Sequence, residues 1–459
     1  MKLVILAAVL TIFGIVSFLY LTPGEEIDLR ASPMGIVAGN AFSTQNQLAS
    51  STADFVAAGT TNAGATGRTS AYKDIERQKP LPNPPEVIKA IYSTSWSAGS
   101  SKKLEYFIKL IKETELNAIV IDIKDFSGAV LYDIQNPDVI KYGAKEVRIP
   151  AINSVIKRLH DEGIYVIARQ TVFQDPVLAT ARPDLAIQRD VMTAPAVVET
   201  NGTSTSVITA TTTKRVLWLD NKGLSWIDPG AKEAWDYNIE IAKDAAERGF
   251  DEVNFDYIRF PSDGIINAMK FNYYDSQTVL KQTQITRFFA YLRERTAGIK
   301  ISADLFGLVT VNNDDLGIGQ NLESAAPYFD AIAPMVYPSH YAKGFIGYEN
   351  PGAHPYEVVR YSMEKAVDKL TTKEKVCAEI TSSATVSTTL QCETKVSYAN
   401  TKLRPWLQDF DLGANYDIEE VKAQIKAVDE MVKNTLLYDG WMIWAPSNIY
   451  TRGALETTQ

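Results

Sequence analysis

The stretch Gly249-Phe-Asp-Glu-Val-Asn-Phe-Asp-Tyr-Ile-Arg-Phe-Pro261 decides how the chain is read. Gly-Phe ends a helix, Val253 and Phe255 mark a core strand, and the segment then turns polar at Asp256, Tyr257 and Arg259. A buried strand meets other layers along its whole length, so charged groups at its exit need either partners or a task. Pro261 closes the strand because it has no N–H to give to a ladder. A carboxylate at the C-terminal end of a parallel strand is where barrel enzymes keep their chemistry, which makes Asp256 the first candidate.

Outward from this stretch the same unit repeats. Strands are expected over residues 89–96, 117–125, 165–173, 300–307, 330–337, 403–412 and 440–445, several of them apolar runs that turn polar at the end. Between them lie stretches with apolar residues at helical spacing: 101–115, a helix opened by Pro150 and stopped by Gly163, 229–248 capped by Gly249, 278–296, 356–370, and one starting at Asp417 with Glu420 three residues on. Segment 376–381 competes with 403–412 for the seventh strand; the apolar-to-acidic exit favours the latter. Eight strand-helix units closing a parallel sheet predict an α/β fold, a (β/α)8 TIM barrel, whose last helix is a stub.

Two segments break the rhythm, one near 190–217, rich in Thr and Ser and expected as a surface hairpin, the other near 376–400, expected as a loop holding Cys377 and Cys392. A local disulfide there and two free thiols are both open readings. The domain plan is therefore a membrane segment at 1–23, a flexible linker at 24–85 and the barrel at 86–459. Leu3 to Leu21 is nearly all apolar and long enough to cross a bilayer, and it ends in Thr22-Pro-Gly-Glu-Glu26 without an Ala-x-Ala site. This favours an uncleaved N-terminal anchor over a cleaved signal peptide. With Lys2 on one side and Glu25 and Glu26 on the other, the positive-inside tendency places the barrel outside the cytoplasm, secreted if the anchor is cut. The Ala-, Ser-, Thr- and Gly-rich linker ends in Pro80, Pro82, Pro84 and Pro85, which stiffen it.

A net charge of −9 with no basic stripe argues against a nucleic-acid partner. Three His and two Cys, scattered, form no recognisable zinc spacing, and neither a metal nor another cofactor is expected. Side chains alternate across a strand, so Asn254 and Asp256 share a face, as do Ser302 and Asp304. Two carboxylates at neighbouring strand ends are what glycoside hydrolysis needs, one to attack or activate water and one to donate a proton. Asp122, Lys124, Arg169, Tyr257, Arg259, Tyr337, His340, Trp406, Asp409 and Trp444 stand near the other exits and are candidates to bind substrate. Rings there suit sugar faces, although each aromatic serves equally as core. A lone acidic strand end also serves as a helix cap or an arginine partner, and Asp125 and Asp263 are read that way. Lys124 and Arg169 either bind an anionic sugar or pair Asp122.

The strings Asn117-Ala-Ile-Val-Ile-Asp-Ile-Lys-Asp125, Gly163-Ile-Tyr-Val-Ile-Ala-Arg169, the opening stretch, Ala333-Pro-Met-Val-Tyr-Pro-Ser-His340 and Arg404-Pro-Trp-Leu-Gln-Asp-Phe410 resemble the bacterial glycoside hydrolase domain family. The resemblance covers about residues 87–450 and implies a TIM barrel distantly similar to alpha-amylase-type and alpha-galactosidase-type enzymes. It implies Asp256 as the nucleophile and Asp304 as the acid/base. The latter position is ordinarily Glu, and the alpha-galactosidase type takes its acid from strand six. Asp409 would resemble a strand-seven carboxylate that binds hydroxyls. The expected function is cleavage of a cell-envelope or exported polysaccharide; a carbohydrate-binding barrel without catalysis is the rival. A metal-dependent deacetylase is disfavoured for want of a histidine-rich ligand set.

Overall fold

The computed structural model describes residues 74–193, 212–382 and 387–458. The expected membrane anchor, residues 24–73 of the linker and the tip of the Thr-rich insertion lie outside the described residues. Among those described, no helix is long and apolar enough to cross a membrane.

Eight strands form the barrel: β1 Ile88–Ser93, β2 Ala118–Lys124, β3 Tyr165–Thr171, β4 Glu252–Asp256, β5 Ile301–Phe306, β6 Ala331–Met335, β7 Trp406–Gln408 and β8 Gly440–Trp444. Each pairs in parallel with the next, and β8 pairs with β1 to close the ring. All seven residues of β2 are buried, as a strand covered on both faces must be. The outer layer is α1 Ser101–Lys112, α2 Ile152–His160, α3 Lys232–Glu247, α4 Lys281–Arg295, the single turn α5 Leu322–Ala325, α6 Pro355–Lys369 and α7 Ile418–Val432. After β8 only a short 3-10 turn, Arg452–Ala454, stands where an eighth helix would be. At the start of α7 Asp417 and Glu420 make the reciprocal capping box that their spacing predicts.

Three differences from the sequence reading have physical causes. β1 stops at Ser93, because Thr94 caps a helical turn, Ser95–Ala98, that carries Trp96 out of the strand. The cysteine-bearing segment is not a loop: Thr371–Ser382 and Ser387–Tyr398 pair antiparallel, Cys377 stands opposite Cys392, and Cys377 is disulfide-bonded. The Thr-rich insertion also begins and ends as a hairpin, Gln188–Thr193 against Thr212–Leu217, in line with expectation. Lastly, the linker does not extend to residue 85. α2 opens at Ala151, which has no capping side chain, and Asp74 fills that role by accepting from the N–H groups of Asn153 (2.7 Å) and Ser154 (3.0 Å). Gln78 N–H then donates to Arg248 O and Leu81 N–H to Asp251. Gly249 has φ +101°, and a Cβ there would sit 2.8 Å from the Gln78 carbonyl, so both the helix end and the passing chain require glycine.

Inside the barrel the inward residues of β4 stack in three levels. Glu252, at the bottom, is fully buried in an ion pair with Arg404 and accepts from Ser302 and Tyr165. Asn254 lies in the middle, and Asp256 reaches the mouth. The lowest carboxylate is thus spent on closing the floor, and the topmost is left for the opening.

Candidate active site

Arg169, on β3, is the hub of the mouth. Its guanidinium donates to Asp122 (2.7 Å) from Nη1, to Asp256 from Nη2 and to Asp304 (3.4 Å) from Nε. The placement follows from register: Arg169 is paired with Asp122 on one side and Asn254 on the other, so carboxylates of β2, β4 and β5 converge on it. Burial works against its charge, but Asp122 and then Asp256 more than offset this, and its pKa stands well above the ordinary arginine value.

The three carboxylates differ in their other partners. Asp122 accepts from Tyr92 OH, whose ring lies under the Arg169 guanidinium, and burial raises its pKa against the pull of Arg169. Asp256 accepts from the Tyr257 N–H at 2.6 Å. That short local bond comes with left-handed backbone at Tyr257, φ +53°, an unfavourable conformation for a bulky residue and the means by which the chain leaves β4 sharply. Asp304 accepts at one oxygen from Asn254 Nδ2 (2.9 Å) and from Trp406 Nε1 (2.8 Å). Burial, and next the charge of Asp256, push its pKa up to about 7. A carboxyl that holds its proton near neutrality, with a second carboxyl group close by, is what acid-assisted bond cleavage needs. The β6 segment and its exit through His340 contain no acidic residue.

Aromatic side chains line two sides of the mouth. Tyr92, Trp406, Trp444, Tyr337 and Phe410 form one connected wall, with Tyr92 6.5 Å from Trp406 and 6.3 Å from Trp444, and Trp444 5.6 Å from Tyr337 and 5.1 Å from Phe410. His340 stands edge-on to Tyr337 at 5.1 Å; burial pushes its pKa down to about 3, so the imidazole is neutral, and its Nε2 has no hydrogen-bond partner among the described residues. On the other side the Tyr257 ring meets Trp226 at 5.9 Å, and the Arg259 guanidinium lies over both. Burial raises the Tyr257 hydroxyl to about 12.

Two of the sequence candidates are placed elsewhere. Lys124 is fully buried, donates to Thr171 O and pairs with Asp175 at 2.8 Å. The cause is a β-bulge: Asp122 faces Arg169, whereas Lys124 faces Gln170, so the extra residue Ile123 turns Lys124 outward toward the helix layer. Asp409 accepts from Thr451 N–H (2.8 Å) and Oγ1 (2.7 Å), which pins the segment after β8. Conversely Tyr92 at the mouth, Asn254 one level below it and Trp226, which packs on Tyr257 and Arg259, were not among the candidates to bind substrate. Asn254 carried a usable signal, two residues before Asp256 on one face. Trp226 carried none, as it arrives from the loop after the Thr-rich insertion.

The family described as "Putative glycosyl hydrolase domain" matches the chain over residues 90–450. No curated protein matches it. Among solved structures, a hypothetical protein from Ruminiclostridium thermocellum ATCC 27405 is 37% identical, over 50% of this chain and 98% of that one, at a TM-score of 0.38. An alpha-galactosidase from Thermus thermophilus in complex with stachyose is 12% identical, over 62% of this chain and 52% of that one, at 0.34. The glycoside hydrolase domain of PelA from Pseudomonas aeruginosa is 10% identical, over 79% and 96%, at 0.36.

Proposed function

The chain belongs to the "Putative glycosyl hydrolase domain" family, and on that premise we propose that it hydrolyses glycosidic bonds with Asp256 as nucleophile and Asp304 as acid and base. The observation that carries this reading is the pair itself: two carboxylates from adjacent strands on one guanidinium, with Asp304 pushed up to about 7. In the first step an Asp256 oxygen bonds to the anomeric carbon while the C–O bond to the leaving sugar breaks and Asp304 gives that oxygen its proton. In the second, the Asp304 carboxylate takes a proton from water, whose oxygen displaces Asp256 and frees the sugar with retained configuration. Arg169 and Asp122 orient the pair, and Trp406 and Asn254 fix the rotamer of Asp304. The apolar run at residues 3–21 supports a barrel held at the membrane outside the cytoplasm, with an envelope or exported polysaccharide as substrate.

A second reading is a carbohydrate-binding barrel without turnover. Arg169 favours it, because this cation already occupies all three carboxylates. One experiment separates the two: the full chain and its Asp256→Asn variant against aryl glycosides of both anomers and envelope polysaccharides. Hydrolysis by the wild type, falling about 10⁴-fold or more in the variant with the fold kept, is the expected result. Glycan binding by both proteins with product from neither would establish the binding barrel.

A further inference from the structure

Arg259 is a buried cation for which the charges of Asp256, Asp263 and Asp220 only partly offset the cost of burial. The residue is 3% exposed, and three rings lie against its guanidinium, those of Phe306 (4.5 Å), Trp226 (4.8 Å) and Tyr257 (5.2 Å). Among the described residues its hydrogen bonds run from Nη1, to Phe260 O at 3.1 Å and Ser262 Oγ at 3.4 Å. No ion pair joins it to a carboxylate among the described residues, whereas Arg169, Arg248 and Arg404 each have one. Burial pulls its pKa below the ordinary arginine value, which is the signature of a charge removed from water without full compensation. Rings attract a cation through their faces, but they leave the edge of a guanidinium fork, where its N–H groups point, without acceptors.

The position says what the fork is for. Arg259 lies three residues beyond Asp256, and Phe306, which stacks on it, ends β5 two residues beyond Asp304. The Asp256 charge reaches the Arg259 guanidinium, and Phe306 at the end of β5 lies against it, so the guanidinium stands on the side of the mouth formed by the ends of β4 and β5. Resting on the glycosidase reading of this mouth, we propose that the site takes an acidic sugar, a hexuronate whose carboxylate pairs with the Arg259 fork. Planar two-oxygen anions match that fork in a way a hydroxyl does not, and a desolvated guanidinium gains more from such a pair than an exposed one. The anion also completes the aromatic cage, which supplies position and leaves the charge for the ligand.

Binding and turnover are measured separately, so that the two readings fail separately. The full chain is titrated by NMR with glucuronate, galacturonate, glucose, galactose and glucose 6-sulfate, each up to about 10 mM, above the weak millimolar range expected of single sugars. The same chain is assayed on aryl glucuronides and glucosides. A hexuronate is expected to bind about 10- to 100-fold tighter than its neutral counterpart, with this ratio abolished in Arg259→Met. Arg259→Lys, which keeps the charge and the cage but not the fork, is expected to lose about tenfold of the ratio with the fold intact. A structural role predicts a different pattern, a lower Tm in Arg259→Met with the sugar ratio unchanged, and that would overturn the inference. So would equal binding of acid and neutral sugar, no hexuronate binding at all, or binding of the sulfate ester alone. Hexuronate binding that depends on Arg259 without any hydrolysis would uphold the inference and remove the glycosidase.

Discussion

At the scale of single residues, Asp304 is the group whose environment decides the chemistry. It sits at 1% exposure with two donors on one oxygen and the Asp256 charge nearby, and its pKa is raised to about 7. A general acid works only while protonated, so kcat/KM should fall as pH rises through about 7, with an apparent value that belongs to the Asp256–Asp304 pair. Asp304→Asn should remove that alkaline limb and lower kcat by about 10²- to 10⁴-fold on alkyl glycosides, and by much less on aryl glycosides whose leaving group needs no proton. A pH-rate profile of both proteins on both substrates checks this; an alkaline limb that survives in Asp304→Asn assigns the proton to another group. The inward direction of Asp256 and Asp304 was legible, because alternation along a strand is a local rule. Lys124 was misplaced because a bulge breaks that rule, and nothing in Ala118-Ile-Val-Ile-Asp-Ile-Lys124 marks where the extra residue falls. The role of Arg169 as a hub was legible only in part, since sequence gives its strand but not the three carboxylates that registers on both sides bring to it.

At the scale of elements, buried parallel strands announced themselves as apolar runs with polar ends, and six of the seven outer helices by their periodicity or caps, the single turn α5 being the exception. The hairpin at 371–398 did not. Its strands, Thr-Thr-Lys-Glu-Lys-Val-Cys-Ala-Glu-Ile-Thr-Ser and Ser-Thr-Thr-Leu-Gln-Cys-Glu-Thr-Lys-Val-Ser-Tyr, have no sustained apolar face, because residues 372–375 and 394–397 are exposed and there is little for an apolar face to pack against. A two-stranded ribbon with an exposed base is marginal by itself, so the cross-link at Cys377 is what holds its pairing. Cys377→Ser should therefore speed amide exchange across 371–398 while exchange in the barrel strands and the activity of the full chain stay as they were. Exchange that accelerates in β6 or β7 as well would mean that the ribbon supports the barrel.

At the scale of the whole molecule, the boundary of the folded unit lies twelve residues ahead of where composition put it. The prolines at 80, 82, 84 and 85 read as a stiff spacer, but such a segment also suits a strap whose polar groups are satisfied by what it crosses. Asp74 caps α2 from outside, Arg77 pairs with Asp244 and Glu247 at the end of α3, and Gln78 and Leu81 bond to residues 248 and 251 just before β4. The strap thus ties α2 and α3 to the base of the strand that carries Asp256. A chain starting at residue 74 should unfold at the temperature of the full chain. One starting at residue 86 leaves the N-terminal N–H groups of α2 and the Arg248 carbonyl without these partners, at about 1 kcal/mol for the lost cap and about 1 kcal/mol for each of the two lost bonds. Spread over a domain of this size, that is a Tm lower by a few degrees. The exposed Arg77 pairs add little to it. Thermal unfolding of the two truncated chains beside the full one reads this directly. Equal Tm values for both would make residues 74–85 a tether after all, and the loss should be accompanied by faster amide exchange at α2 ahead of any other helix, because that is the element left uncapped.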